Sequence, residues 1–262
     1  MSKCYSSFVE RTTKILFVLV LISFGRLHAQ TDITIGTGTT GNGGTSYPAP
    51  LQDWWEGSRA QYLYRASDLI AAGMSVGNIT AIKFNVTNLN TFTGNIQQYT
   101  VRIGNTTTAS LSMTAWEPSP ATVYGPVDLV PTLGVNTITF TAPFFWNGTD
   151  NILIEICNGL PGNETDGITH YTNNVTIPWT TAVGYNASHT RTADNGGNLC
   201  STTTTTDNGT ETNRPNITFT WTPASACSGT PTGGTANSDK AVACLGETFT
   251  LSATGVTVAS GL

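Results

Sequence analysis

"ITAIKFNV", from Ile79 to Val86, is the stretch that decides the fold class. Read two residues at a time, it sets Ile82, Phe84 and Val86 on one side and Ala81, Lys83 and Asn85 on the other. Side chains alternate across a strand, so this pattern reads as a strand with one face in a core. The pattern recurs in both directions. "YTVRIG" aligns Tyr99, Val101 and Ile103, and "NTITFTAPFFW" turns Ile138 and Phe140 inward. "NILIEIC" sets Ile152, Ile154 and Ile156 against Leu153 and Glu155, and "NITFTW" sets Ile217, Phe219 and Trp221 against threonines. Segments rich in turn residues separate these runs, the organisation of a jelly-roll-like β-sandwich. "ASDLIAAGM" interrupts them as a short helix. Ser67 is expected to cap it, Asp68 to suit its positive end, and Gly73 to take the left-handed position that closes it.

Composition agrees with an all-β reading. Threonine makes up about a fifth of the chain after residue 29, and its β-branch fits a pleated surface. Glycine and asparagine supply turns. Residues 1–29 read as a signal peptide: Lys3, Arg11 and Lys14 precede "ILFVLVLISF", which is too short to span a bilayer, and a small residue, Ala29, precedes Gln30. Removing that segment takes away four basic residues and one acid, moving the formal charge from −5 to −8. Only Lys83 and Lys240 then remain as lysines. This argues against nucleic acid as a partner, and no membrane insertion is expected after cleavage.

Four cysteines follow the signal segment: Cys157, Cys200, Cys227 and Cys244. An even number in an exported chain reads as disulfides, with three pairings open. The favoured one keeps Cys157 with Cys200 and Cys227 with Cys244, while a partner for Cys244 beyond Leu262 stays open. The sandwich is expected over 30–222. Residues 223–240, rich in Pro, Gly and Ser, read as a linker, and 241–262 as the truncated start of an immunoglobulin-like domain.

"DWWEGSRAQYLY", Asp53 to Tyr64, poses the functional question. Trp54, Trp55, Glu56 and Arg59 could form an exposed shelf for a sugar, with rings against its C–H face and polar groups on its hydroxyls. Read as a core strand instead, Trp54 and Trp55 point to opposite faces, and Tyr62 and Tyr64 share one face with Leu63 on the other. Trp146, before Asn147 and Gly148, reads as the entry to a tight turn rather than a binding loop. Asp194, Asn195 and Asn198, and Asp207, Asn208 and Glu211, could offer oxygens to a structural calcium, but neither set has the spacing of an EF-hand. No other cofactor is expected. Ser188, His189 and Asp194 can be drawn as a triad, but neighbours on a strand face apart. His170 and His189 are the only histidines left after the signal segment, and no catalytic residue is assigned.

"YPAP", "GSRAQYLYRASDLIAAG", "GNITAIKFNV", "PFFWNGTDNILIEIC", "TADNGGNLC" and "NRPNITFTW" together resemble a secreted family of Bacteroidota. Its members carry an N-terminal β-sandwich, then immunoglobulin-like or fibronectin type III-like repeats, and often a type IX secretion sorting domain. "CSGTPTGGTANSDKAVACLGETFTLSATGVTVASGL" resembles the start of those repeats. The resemblance implies a secreted or cell-surface location and a non-catalytic interaction or adhesion role as a modular scaffold. Its partner would be an extracellular protein or a polysaccharide surface. The alternative is a carbohydrate-binding accessory domain of a larger secreted hydrolase.

Overall fold

The computed structural model describes residues 30–41, 50–52, 54–92, 94–159, 173–194, 198–205, 210–224, 235–239 and 250–254. Residues 1–29, read above as a signal peptide, and Asp53, His170, Asn195, Asp207, Asn208, Cys227 and Cys244 lie outside them. The first strands are β1 (Thr31–Ile35), β2 (Thr40–Gly41) and β3 (Gly57–Tyr64), followed by the helix α1 (Ala66–Ala71). Then come β4 (Gly77–Val86), β5 (Asn88–Phe92), β6 (Ile96–Thr106), β7 (Ala121–Leu129), β8 (Gly134–Trp146) and β9 (Asn151–Asn158). They are followed by β10 (Asn173–Thr176), β11 (Pro178–Thr180), β12 (Ser188–Ala193), β13 (Thr210–Glu211), β14 (Arg214–Pro215) and β15 (Ile217–Pro223). A last hairpin pairs β16 (Thr235–Ser238) with β17 (Leu251–Thr254).

Two antiparallel sheets make the sandwich. One runs β1-β15-β4-β8 and the other β13-β12-β3-β9-β6-β7. The alternating residues meet between them. Ile82, Phe84, Val86, Ile138, Phe140, Ile217, Phe219 and Trp221 come from the first sheet. Tyr62, Tyr64, Tyr99, Val101, Ile103, Ile152, Ile154 and Ile156 come from the second. Each large apolar side chain so buried contributes roughly 1.5–3 kcal/mol, before the cost of ordering the chain. The chain is therefore an all-β sandwich, as its alternation implies. In β4 the register slips between Ile79 and Ala81, and this bulge lets Ile79 rejoin the buried face.

The six-stranded sheet departs from simple alternation. All eight residues of β3 are buried, and so are seven of the eight in β9. Its outer face carries a second apolar cluster of Leu63, Leu111, Leu153, Tyr185 and Ala187. Two irregular segments bring cover to that face: residues 107–120, here the strap, and residues 198–205, here the arm. Tyr62 and Tyr64 thus lie in the main core while Leu63 lies in the outer cluster.

The helix ends as its sequence implies and begins differently. Gly73 has φ +98, its N–H donates to Ile70 O at 2.9 Å, and Met74 N donates to Leu69 O at 3.0 Å. These two bonds close the helix on a left-handed glycine. Arg65, not Ser67, holds the N-cap position, and no side chain caps from there. Instead Asn151 Oδ1 accepts from Ala66 N at 2.8 Å. The cap comes from 85 residues away, so no local pattern could show it. The strand β16 falls inside the stretch read as a linker, and β15 runs through Pro223.

Candidate functional site

Trp54 and Trp55 are not in a strand. They sit in a turn that precedes β3, and both are partly exposed. Gly57 N donates to Trp55 O at 2.7 Å around Glu56, whose φ is +64. This is a three-residue turn with its central residue in a conformation that side chains rarely adopt. Strand alternation therefore does not govern Trp54 and Trp55. It does apply from Gly57 onward. Tyr64 meets Phe219 edge to face, with centroids 5.8 Å apart, and its hydroxyl donates to Pro215 O at 2.9 Å. Arg59 does not join the tryptophans at the surface. It is 5% exposed and turns to the outer face of the sheet.

That face holds a buried polar layer. Strand register sets His189, Gln61, Glu155 and Arg102 in one row across β12, β3, β9 and β6. The Glu155 side chain is 0% exposed. Its Oε2 accepts from Arg59 Nε at 3.1 Å and Nη2 at 2.7 Å, from Gln61 Nε2 at 2.8 Å and from Ser119 Oγ at 3.2 Å. Its Oε1 accepts from Arg102 Nη1. The arginines then reach the arm: Arg59 Nη1 donates to Thr202 O, and Arg102 Nη1 to Cys200 O at 3.0 Å. The disulfide Cys157–Cys200 fastens the same arm to β9, with Cα atoms 5.1 Å apart. A charge in low dielectric persists only when paired and fully hydrogen-bonded, and Glu155 meets that condition.

Gln61 holds the strap. Its Oε1 accepts from Glu117 N at 3.0 Å and its Nε2 donates to Glu117 O at 2.9 Å. Beside it Trp116 lies flat on His189, with centroids 4.0 Å apart and planes 10° apart. The Arg59 guanidinium stands 4.3 Å from the Trp116 ring, and Trp116 Nε1 donates to Thr204 O at 3.0 Å. His189 is fully buried, and its ring nitrogens have no well-formed hydrogen bond, the Thr205 backbone being only a weak partner. Burial chiefly holds its imidazole below the ordinary histidine range. The backbone of Thr205 opposes that, and the charge of Arg59 adds to it.

Ser188, His189 and Asp194 do not assemble. Ser188 stands in register with Tyr62 and His189 with Gln61, on opposite faces of the sheet. Asp194 lies beyond the strand end, where burial and then the Glu56 charge raise its carboxyl. Asn198 is used locally, accepting from Cys200 N at 2.8 Å and donating to Gln98 Oε1 at 2.8 Å. Glu211 is exposed in β13. Among the described residues no three His, Cys, Asp or Glu side chains gather to hold a metal ion. Trp146 is buried and donates to Asp150 O at 2.8 Å, and Asn147 Oδ1 accepts from Thr149 N and Asp150 N. With Gly148 at φ +80 this is the expected turn.

Among the described residues, clefts open on the surface at two places that matter here. One, of about 610 Å³, lies between the strap and the ends of β6 and β9 and includes Glu117, Asp150 and Phe144. The other, of about 440 Å³, lies on the four-stranded sheet around Lys83, Asn85, Asn216 and several threonines. Its ammonium is already taken, since Lys83 Nζ lies 2.6 Å from Asp32 Oδ2. Comparison of the chain with protein-family models, with curated proteins and with solved structures finds no match.

Proposed function

We propose that this chain is an exported, non-catalytic interaction module, a rigid part of a secreted or cell-surface adhesin of the Bacteroidota type it resembles. The observation that carries the reading is the use made of its charges. Glu155, the acid best placed for chemistry on a sheet face, has both oxygens occupied by arginine donors, Arg59 buried and Arg102 partly buried. The cluster ties strap, arm and disulfide to the sheet, which is the work of a scaffold. The Cys157–Cys200 bond also suits an oxidising compartment. Export is tested by mass spectrometry of the protein recovered outside the cell. A mature N-terminus at Gln30 is expected, and an intact residue 1 in a cytoplasmic protein overturns the reading.

A second reading, a polysaccharide-binding accessory module, is favoured by the partly exposed Trp54 and Trp55 in their turn. Retention on insoluble polysaccharide tests it. Trp54→Ala and Trp55→Ala are expected to keep the wild-type Tm within about 3 °C, because neither ring is in the core. Retention equal to wild type in both variants removes this turn as a sugar platform.

A further inference from the structure

The larger cleft carries an inference that rests on the polysaccharide-binding reading and goes beyond the tryptophans. Its volume of about 610 Å³ falls in the range of roughly 300–1,000 Å³ typical of small-molecule sites. Glu117 and Asp150 both line it, and no Lys, Arg or His does. Glu117 Oε2 accepts from Thr108 Oγ1 at 2.7 Å, and Asp150 Oδ2 accepts from Asn147 Nδ2 at 2.7 Å. These donors are neutral. Among the described residues neither carboxylate has an ion pair, and Glu117 Oε1 and Asp150 Oδ1 have no protein donor. Two acceptors strong enough to bind hydroxyls therefore remain available.

The rest of the lining is apolar in part. Phe144 is one wall, and Ile103 and Leu153 contribute buried side chains. At Gly104 there is no side chain at all, and a Cβ there would stand 2.9 Å from Pro120 Cβ. That glycine lets the strap settle close to β6. A ligand that fits must donate several hydrogen bonds and present a C–H surface. It must also carry no negative charge, since two carboxylates would repel it. Sugars meet all three requirements.

We propose that this cleft binds one neutral hexose residue, at the end or on a branch of a polysaccharide. Glu117 and Asp150 accept from its hydroxyls, and Phe144 packs on its C–H face. The site sits on a strap locked by Gln61 and Trp116, so little ordering cost is left for binding.

The test is calorimetric titration of the full chain with methyl glycosides of glucose, galactose and mannose, and separately with calcium chloride. Two variants accompany the wild type. Glu117→Gln keeps an oxygen for the Thr108 hydroxyl and removes the charge. Ala121→Trp starts from an exposed residue of the lining and fills the cleft. Saturable binding of one glycoside is expected, about tenfold weaker in Glu117→Gln and lost in Ala121→Trp, with wild-type Tm in Glu117→Gln. Should Ala121→Trp unfold, Glu117→Gln decides alone. Glycoside binding undiminished in Glu117→Gln overturns the cleft assignment and leaves the polysaccharide reading standing. Calcium binding without glycoside binding overturns it in favour of a cation. No glycoside binding, with polysaccharide retention intact, overturns the cleft only; loss of both overturns the reading as well.

Discussion

Glu155 has two arginines and a glutamine on one carboxylate, and its side chain has no exposed surface. Removing its charge leaves the buried Arg59 side chain without its counter-charge. Glu155→Gln is expected to destabilise the fold by about 3–5 kcal/mol, read as a lower urea midpoint at unchanged m-value. His189 makes the opposite case. Its two ring nitrogens are buried without a well-formed hydrogen bond, so an apolar ring of similar shape removes a desolvation cost. Its depressed pKa also sets a pH dependence. The unfolded imidazole takes a proton near the ordinary value of 6.5 and the folded one only at lower pH. Stability is thus fully present above 6.5 and falls as pH drops through the folded value. Unfolding free energies measured from pH 7 down to 5 are expected to fall more steeply for wild type than for His189→Phe. Equal slopes would show that the imidazole titrates normally in the fold.

Helix α1 separates two local signals that looked equal in the sequence. Gly73 has a left-handed φ of +98, and a Cβ there would meet nothing within 4 Å. Gly73→Ala therefore costs only conformational strain, about 1 kcal/mol. Ser67 is exposed and makes no cap, so Ser67→Ala is expected to leave the urea midpoint unchanged. The arm depends on a covalent tie. Replacing Cys157 and Cys200 by serine frees a loop with a sequence separation of 43. The expected loss is about 4 kcal/mol on the chain-entropy model, and it appears as a lower Tm in the double variant.

For the whole molecule, the division between sequence and structure follows distance along the chain. Alternation is local, so the strands at Ile79–Val86, Tyr99–Ile103 and Ile152–Ile156 and their inward faces could be read directly. So could the turn at Asn147 and Gly148, which uses residues within three positions. The outer layer could not. Arg59, Gln61, Glu155 and His189 occupy the alternate positions that a strand usually gives to solvent, and their character matches that expectation. Only the pairing of β3 with β9, across separations of 94 and 96 residues, brings them together. Only the strap and the arm then bury them. The turn at Trp54–Gly57 was hidden for a different reason. Positive φ is normally signalled by Gly or Asn, and here Glu56 adopts it. The sequence alone determined an all-β chain, the alternating strand residues of its main core and the glycine that ends its helix, because each depends on near neighbours. Tertiary structure decided which polar residues are sealed, which tryptophans reach solvent and where a cleft with unpaired carboxylates opens, because each depends on segments that meet only when the sheets close.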